Sequence, residues 1–248
     1  MTNVVTRTRE LLDRPASLVD GYLDVMGADV VPQTTAQRVM GSTLLPRIYE
    51  SLWRPILFWG FTLRNTVDED RQKLRLMAIQ PGDVVLDVAC GPGNTTRTLV
   101  GQVGPDGLAI GLDSSATMLA QGVRDTPDAS PVGYVRGDAV DLPFRDSTFD
   151  AVSCYGALYL MDDPMGALDE MIRVLRPGGR IAVLTTCARG PAPVRHLSVA
   201  ASRLAPLRLF DGDEITGVMR AAGLVDVSRT VTAASQTVSA RRPAADSA

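Results

Sequence analysis

Histidine is nearly missing from this chain of 248 residues, which carries only His196. No cluster of His, Cys and Asp shows metal-ligand spacing, so no metal site is expected. Cysteine is scarce as well. Cys90, Cys154 and Cys187 stand far apart with no paired spacing. A disulfide framework is therefore not expected, and a reducing cytoplasmic setting is. No apolar run reaches the 18 or more residues of a membrane-spanning helix. The first residues, Met1-Thr2-Asn3-Val4-Val5-Thr6-Arg7, lack the basic-then-apolar build of a secretory signal. Positive charge is not in excess: the net charge is -3, and the arginines are scattered. Nothing in that balance favours nucleic acid, whose phosphates demand concentrated positive charge. Aromatic residues make up 5%, and both tryptophans, Trp53 and Trp59, fall in one short stretch.

What is present is an ordinary globular composition, 45% hydrophobic and 21% charged, long enough for one sizeable α/β domain. From Gly82 onward, short apolar runs alternate with amphipathic segments. Strands are expected at Val84–Cys90, Leu108–Asp113, Gly133–Arg136, Ala151–Cys154, Arg180–Cys187, Leu224–Val231 and Gln236–Ala240. The early runs are continuously apolar, as parallel strands buried on both faces must be. Leu168, Met171, Ile172 and Leu175 recur at i, i+3, i+4 and i+7, the stripe of a helix lying on a sheet. Asp162 or Asp163 caps that helix, Pro164 opens it, and Arg176-Pro177-Gly178-Gly179 stops it. A further helix is expected over 212–222. Residues 1–80 read as helical patches (7–12, 17–27, 34–40, 45–58) with the cluster Tyr49, Trp53, Phe58, Trp59 and Phe61. They are expected to form a cap or lid within the same domain. Residues 81–242 form the ligand-binding domain, and 243–248 a disordered tail.

The chemistry is concentrated in Val84-Val85-Leu86-Asp87-Val88-Ala89-Cys90-Gly91-Pro92-Gly93-Asn94-Thr95-Thr96. A buried strand runs into a small-residue loop that opens a helix, the arrangement that holds nucleotide-like ligands. Three acids recur at strand ends: Asp87, Asp113 and Asp138. Asp113 stands 22 positions past Gly91 (113 − 91). That offset suits a carboxylate accepting hydrogen bonds from a ribose diol. Asp113 could alternatively be a helix cap, and Asp138 a turn residue. A dinucleotide loop needs a third small residue where this chain has Thr96, and Asp87 would repel a pyrophosphate. Asp87 suits an ammonium group instead, and Asp138 suits an adenine amino group. An amino acid, a ribose and an adenine together describe S-adenosylmethionine.

In these residues the chain resembles the class I S-adenosylmethionine-dependent methyltransferases, in the branch of ubiquinone/menaquinone C-methyltransferases and their small-molecule relatives. The resemblance rests on Val85–Gly93, Gly111-Leu112-Asp113-Ser114-Ser115-Ala116-Thr117-Met118-Leu119, Gly137–Phe144, Phe149-Asp150-Ala151-Val152 and Met171–Gly179. It covers roughly residues 45–242. It implies a Rossmann-like sheet of seven strands, order 3-2-1-4-5-7-6, with the last strand antiparallel and helices on both faces. It also implies that Ala89, Gly91 and Gly93 let the backbone approach the methionine and ribose. Asp113 then binds the ribose, Ser114 and Met118 line the adenine, and Asp138 and Ala139 meet its edge. Tyr155 stands near the methionyl end, and Tyr49 closes over the cofactor.

Methyl transfer from a sulfonium is an in-line displacement that alignment in a dry site can drive. A base is needed only for an acceptor with an unfavourable pKa. His196 and Tyr159 are the candidates, with an exposed histidine and a pocket-wall tyrosine as the plainer alternatives. Relatives carry a histidine near Tyr159, so this chain departs from them there. The faces of Tyr49 or Tyr155 could favour the sulfonium. Asp141 and Asp146 read as solvated turn residues. The three cysteines, each near a strand end, are expected to form a row under the methionine. The expected partner is a small apolar acceptor (quinone, phenol, polyketide or lipid-like), suggested by the aromatic cluster and by the Ala/Leu/Pro-rich stretch Pro191–Leu209. The alternative is a cofactor-binding regulatory or assembly protein without transfer. Nothing decides between a monomer and a homodimer.

Overall fold

The computed structural model describes residues 2–27, 66–202 and 207–245. The expected Tyr49 and the rest of the aromatic cluster lie outside them. In chain order the elements are α1 (Thr2–Leu11), β1 (Ser17–Val19), β2 (Tyr22–Asp24), α2 (Thr66–Met77), β3 (Val84–Val88), α3 (Asn94–Val103), β4 (Leu108–Asp113), α4 (Ala116–Asp125), β5 (Val132–Arg136), β6 (Phe149–Tyr155), α5 (Pro164–Val174), β7 (Leu175–Thr186), α6 (Ala192–Ser202), α7 (Glu214–Ala221), β8 (Val225–Thr232) and β9 (Ser235–Arg241).

The strands join in one sheet of order β1-β2-β5-β4-β3-β6-β7-β9-β8. Seven of them reproduce the expected order, from β5 as the third strand to β8 as the sixth. Neighbours from β5 to β7 pair in parallel, and β9 runs antiparallel to both β7 and β8. The sheet is wider than expected. A hairpin of β1 and β2 adds two strands at the β5 edge, with Leu23 against Val135 and Asp24 against Arg136. This corrects the helical reading of residues 17–27. Asp20 and Gly21, at φ 45° and 87°, make the left-handed two-residue turn that matches strand twist.

Side-chain alternation divides the core between the two faces of the sheet. Leu86, Val88, Ile110, Leu112, Val152, Cys154, Ile181 and Val183 bury one face, under α5 and α7, with Val4, Val5 and Leu11 of α1 against it. Val85, Ala109, Ala151 and Ala182 bury the other against Met77, Leu99, Val103 and Leu119 of α2, α3 and α4. The α5 stripe is buried as its spacing requires. Asp163 caps that helix by accepting the Gly166 N–H at 2.9 Å, with Pro164 in the first turn. The hairpin is locked by Arg136, whose guanidinium pairs with Asp24 at 3.0 Å and donates to the carbonyls of Gly27 and Ser114. At the other end, the Arg242 N–H bonds Gly179, and the Gly178 N–H bonds the carbonyls of Arg242 and Pro243. Ordered pairing therefore reaches the first residue of the expected tail. No helix among the described residues is long and apolar enough to cross a membrane.

Candidate active site

The parallel strands β3, β4 and β5 end together, and a tight turn follows β3. Ala89, Gly91 and Gly93 all take left-handed backbone, at φ 55°, 55° and 74°. The Cys90 N–H bonds Leu112 O at 2.9 Å, and the Gly93 N–H closes back on Cys90 O at 3.0 Å. Gly93 then caps the N-terminus of α3. Among the described residues, a Cβ added at Gly91 would meet nothing within 4 Å, so none of them covers the loop's backbone there.

Asp113 closes one side of the loop. Its Oδ2 accepts the Gly91 N–H at 2.8 Å and its Oδ1 the Ser115 N–H at 2.9 Å. The cap of α4 is Ser115, not Asp113, because the Ser115 hydroxyl accepts the Met118 N–H. A carboxylate has about four acceptor positions, so a ribose hydroxyl can still be bound. Burial raises the Asp113 pKa, against the lowering effect of backbone N–H groups at Ser115, Gly91 and Ser114. Diol donors favour the ionised form, so a bound diol pulls that pKa back down. Affinity for a ribose ligand is therefore full above the raised value and is lost as pH falls through it. Titrating S-adenosylhomocysteine across acidic pH checks this: the wild-type affinity falls on acidification, whereas Asp113→Asn shows little slope.

Asp87 points to the α2/α3 side of the sheet and is 2% exposed. Its Oδ2 accepts the Thr96 hydroxyl at 2.8 Å and its Oδ1 the Ser153 hydroxyl at 3.0 Å. Thr96, which breaks the dinucleotide pattern, thus orients the acid. Ser114 lends its carbonyl to Arg136 at 3.1 Å, Met118 is buried in the first turn of α4, and Ala139 packs half-buried on the core. Asp138 is exposed, and its carboxylate accepts the Val140 N–H at 3.1 Å within a tight turn. Asp141 and Asp146 pair with Arg14 and Arg173 and so hold surface loops.

One sequence expectation changes. The cysteine row does not form. Cys154 lies level with Val183 and, in the β3–β6 register, faces the core with Val88. Cys90 packs on the opposite face, and Cys187 stands beyond the end of β7. Burial, with Asp113 and Asp87 nearby, pushes the Cys90 thiol well up, and burial takes Cys154 to about 12. Tyr155 does stand at this end, but its ring carries Lys73 Nζ at 4.5 Å from the centroid, so that cation already uses one face. His196 lies on α6 with its side chain 66% exposed and its Nε2 3.4 Å from Asp211, a carboxylate that Arg195 also holds. Tyr159 is half-buried against the core beside α5. Lys73 is the residue that the sequence reading missed. Its signal was a lone lysine one helical turn before Met77, on the stripe that packs against the sheet.

Residues 86–183 match the family model described as "Methyltransferase domain". Over this span the chain is similar to a methyltransferase domain. Among curated proteins, the domain is 40% identical over 118 residues to a demethylmenaquinone methyltransferase of Bacillus mycoides, a stretch covering 47% of this chain and 50% of that protein. The chain thus spans about half the length of the curated relatives it matches. Among solved structures, an S-adenosylmethionine-dependent methyltransferase of Aquifex aeolicus aligns with TM-score 0.59 and 17% identity, over 81% of this chain and 98% of its own. A 4+2 cyclase aligns with TM-score 0.62 and 18% identity, over 82% of this chain and 97% of its own. These structural likenesses show the methyltransferase fold alone. Among the described residues, no group of three or more His, Cys, Asp or Glu could hold a metal ion.

Proposed function

We propose that this protein moves a methyl group from S-adenosylmethionine to a small apolar acceptor of quinone or phenol type. The observation that carries the cofactor is Asp113. It braces the Gly91 turn while keeping acceptor positions for a ribose hydroxyl, beside a loop whose backbone at Gly91 no described residue covers. The residues fit the three parts of the molecule. Asp87 suits its ammonium group, Asp113 the ribose, and Ser114, Met118, Asp138 and Ala139 the adenine side. When bound, S-adenosylmethionine supplies an electrophilic methyl on a sulfonium. The chain's own contribution is to hold that group in line with the acceptor and to keep water out. A side-chain base is unnecessary for an acceptor that is already ionised or carbanion-like, and His196 or Tyr159 would be needed only for one that is not.

The quinone or phenol class draws support from the relatives named for demethylmenaquinone methylation and from the apolar stretches flanking the domain. Incubation with methyl-labelled S-adenosylmethionine and a panel of demethylquinones, phenols and charged acceptors tests it. Label is expected in the apolar products. Label in charged acceptors only would overturn the acceptor class. Tight cofactor binding with no transfer to any acceptor would favour a binding protein on the same fold.

A further inference from the structure

The N-terminal hairpin reaches the cofactor loop through one side chain. Arg136 ends β5, opposite Asp24 of β2. Its side chain is 14% exposed, and that of Asp24 is 9% exposed. The Arg136 Nη1 pairs with Asp24 Oδ2 at 3.0 Å and donates to Gly27 O at 2.9 Å. Its Nε donates to Ser114 O at 3.1 Å. Asp24 Oδ1 in turn accepts the N–H groups of Met26 and Gly27, at 2.9 and 3.1 Å. One carboxylate thus shapes the turn after β2 and anchors the guanidinium.

The peptide group between Ser114 and Ser115 is held at both ends. Its carbonyl accepts from Arg136, and its N–H donates to Asp113 Oδ1 at 2.9 Å. A cation on the oxygen polarises the peptide, so the N–H becomes a stronger donor to the carboxylate beyond it. The other oxygen of that carboxylate holds the Gly91 N–H at 2.8 Å. An unbroken line of bonds therefore runs from Asp24 through Arg136, the peptide and Asp113 to the Gly91 turn. Its outer end, β2, lies outside residues 86–183, which match the family model. Resting on the ribose reading of Asp113 above, we propose that Arg136 is a positioning residue for the cofactor, through which the N-terminal hairpin fixes the Asp113 carboxylate in its ribose-binding orientation.

The proposal has a pH signature. Burial pushes the Asp113 carboxyl up and the Ser115 N–H pulls it down. Without Arg136 that N–H donates less strongly, the value rises further, and affinity is lost at a higher pH. Other titratable groups stand close. Asp24 and Tyr22 of β2, with Asp20 in the turn, lie on the hairpin side. Asp87 and the Cys90 and Cys154 thiols, both pushed up, lie on the Asp113 side. Asp138 follows Arg136 by two residues. An Asp113→Asn background separates Asp113 from all of them.

Calorimetric titration of S-adenosylhomocysteine from neutral to acidic pH compares wild type, Arg136→Met and Arg136→Lys. Arg136→Met is expected to weaken binding about tenfold at neutral pH, as loss of one bond to a charged group does. It is also expected to move the acidic fall in affinity to higher pH. Arg136→Lys, whose ammonium lacks the planar fork that meets Asp24, Gly27 and Ser114 together, is expected to move it in the same direction by less. If Arg136→Met does not fold, Arg136→Lys reads the same quantities. In the Asp113→Asn background the Arg136 penalty is expected to shrink to about twofold or less, because the two residues act in series. An acidic fall that stays in place, or an equal penalty in both backgrounds, would mean that Arg136 only holds the hairpin, and the proposal would fall. Wild-type protein that bound no S-adenosylhomocysteine would overturn the cofactor reading itself, an outcome distinct from those two.

Discussion

Asp113→Ala is expected to weaken S-adenosylhomocysteine binding by about 3 kcal/mol, roughly 150-fold in Kd. Two losses combine in that figure. The diol loses an ionised acceptor, and such bonds contribute about 1.5–3 kcal/mol each without adding in full. The N–H groups of Gly91 and Ser115 also lose the oxygens they donate to, at 2.8 and 2.9 Å. The turn is then free to leave the shape that faces the ligand. Asp113→Asn separates the two losses. Its amide oxygen can still accept one N–H, but its NH2 group meets the other donor head-on. An intermediate loss of about tenfold is expected there, with a near-native melting temperature. Calorimetry beside a circular-dichroism melt measures both quantities. Wild-type affinity in the alanine variant would remove the ribose assignment.

Gly93→Ala is expected to cost about 3 kcal/mol of folding stability and to abolish cofactor binding, because left-handed backbone and overpacking each cost an L side chain about 1–3 kcal/mol. Gly93 sits at φ 74°, a conformation that favours glycine. An added Cβ would stand 2.7 Å from Cε1 and 2.8 Å from Cζ of Tyr134, and closer still to its phenol oxygen. That ring cannot swing away cheaply. It is 4% exposed, and its hydroxyl is bonded to Thr126 at 2.9 Å. Urea unfolding gives the cost. In a Tyr134→Phe background the penalty of Gly93→Ala should shrink, since the nearest atom is gone; adjacent residues couple in this way. Equal penalties in both backgrounds would show that the loop does not approach Tyr134 as described.

The central strands were legible in the sequence because being buried on both faces demands unbroken apolar runs, and Leu108–Asp113 emerges with its limits unchanged. The α5 helix was legible because its stripe, cap and proline agree. The hairpin was not, because its strands have three residues each, too few to show alternation. The one local signal was Asp20-Gly21, a turn dipeptide that the surrounding helical patches obscured. The acids at strand ends could be placed because their offsets from the loop are short-range. The cysteine row failed for the opposite reason. It depends on register between strands and on which side of the sheet each thiol faces, and neither is written in the local pattern. Lys73 was missed because a charged residue inside an amphipathic helix normally reads as solvated.

The long ladder between β7 and β9 has a practical consequence. The span that matches a methyltransferase domain stops at residue 183, three residues short of the end of β7 (186 − 183). Seven residue pairs, from Arg180 with Arg241 to Thr186 with Ser235, join β7 to a strand that lies some fifty residues further along the chain. Trimming the protein to its recognisable span would remove β9 and leave a shortened β7 with bare amide and carbonyl groups, a template for adhesion between molecules. The recognisable core is thus shorter than the smallest piece that should stay soluble.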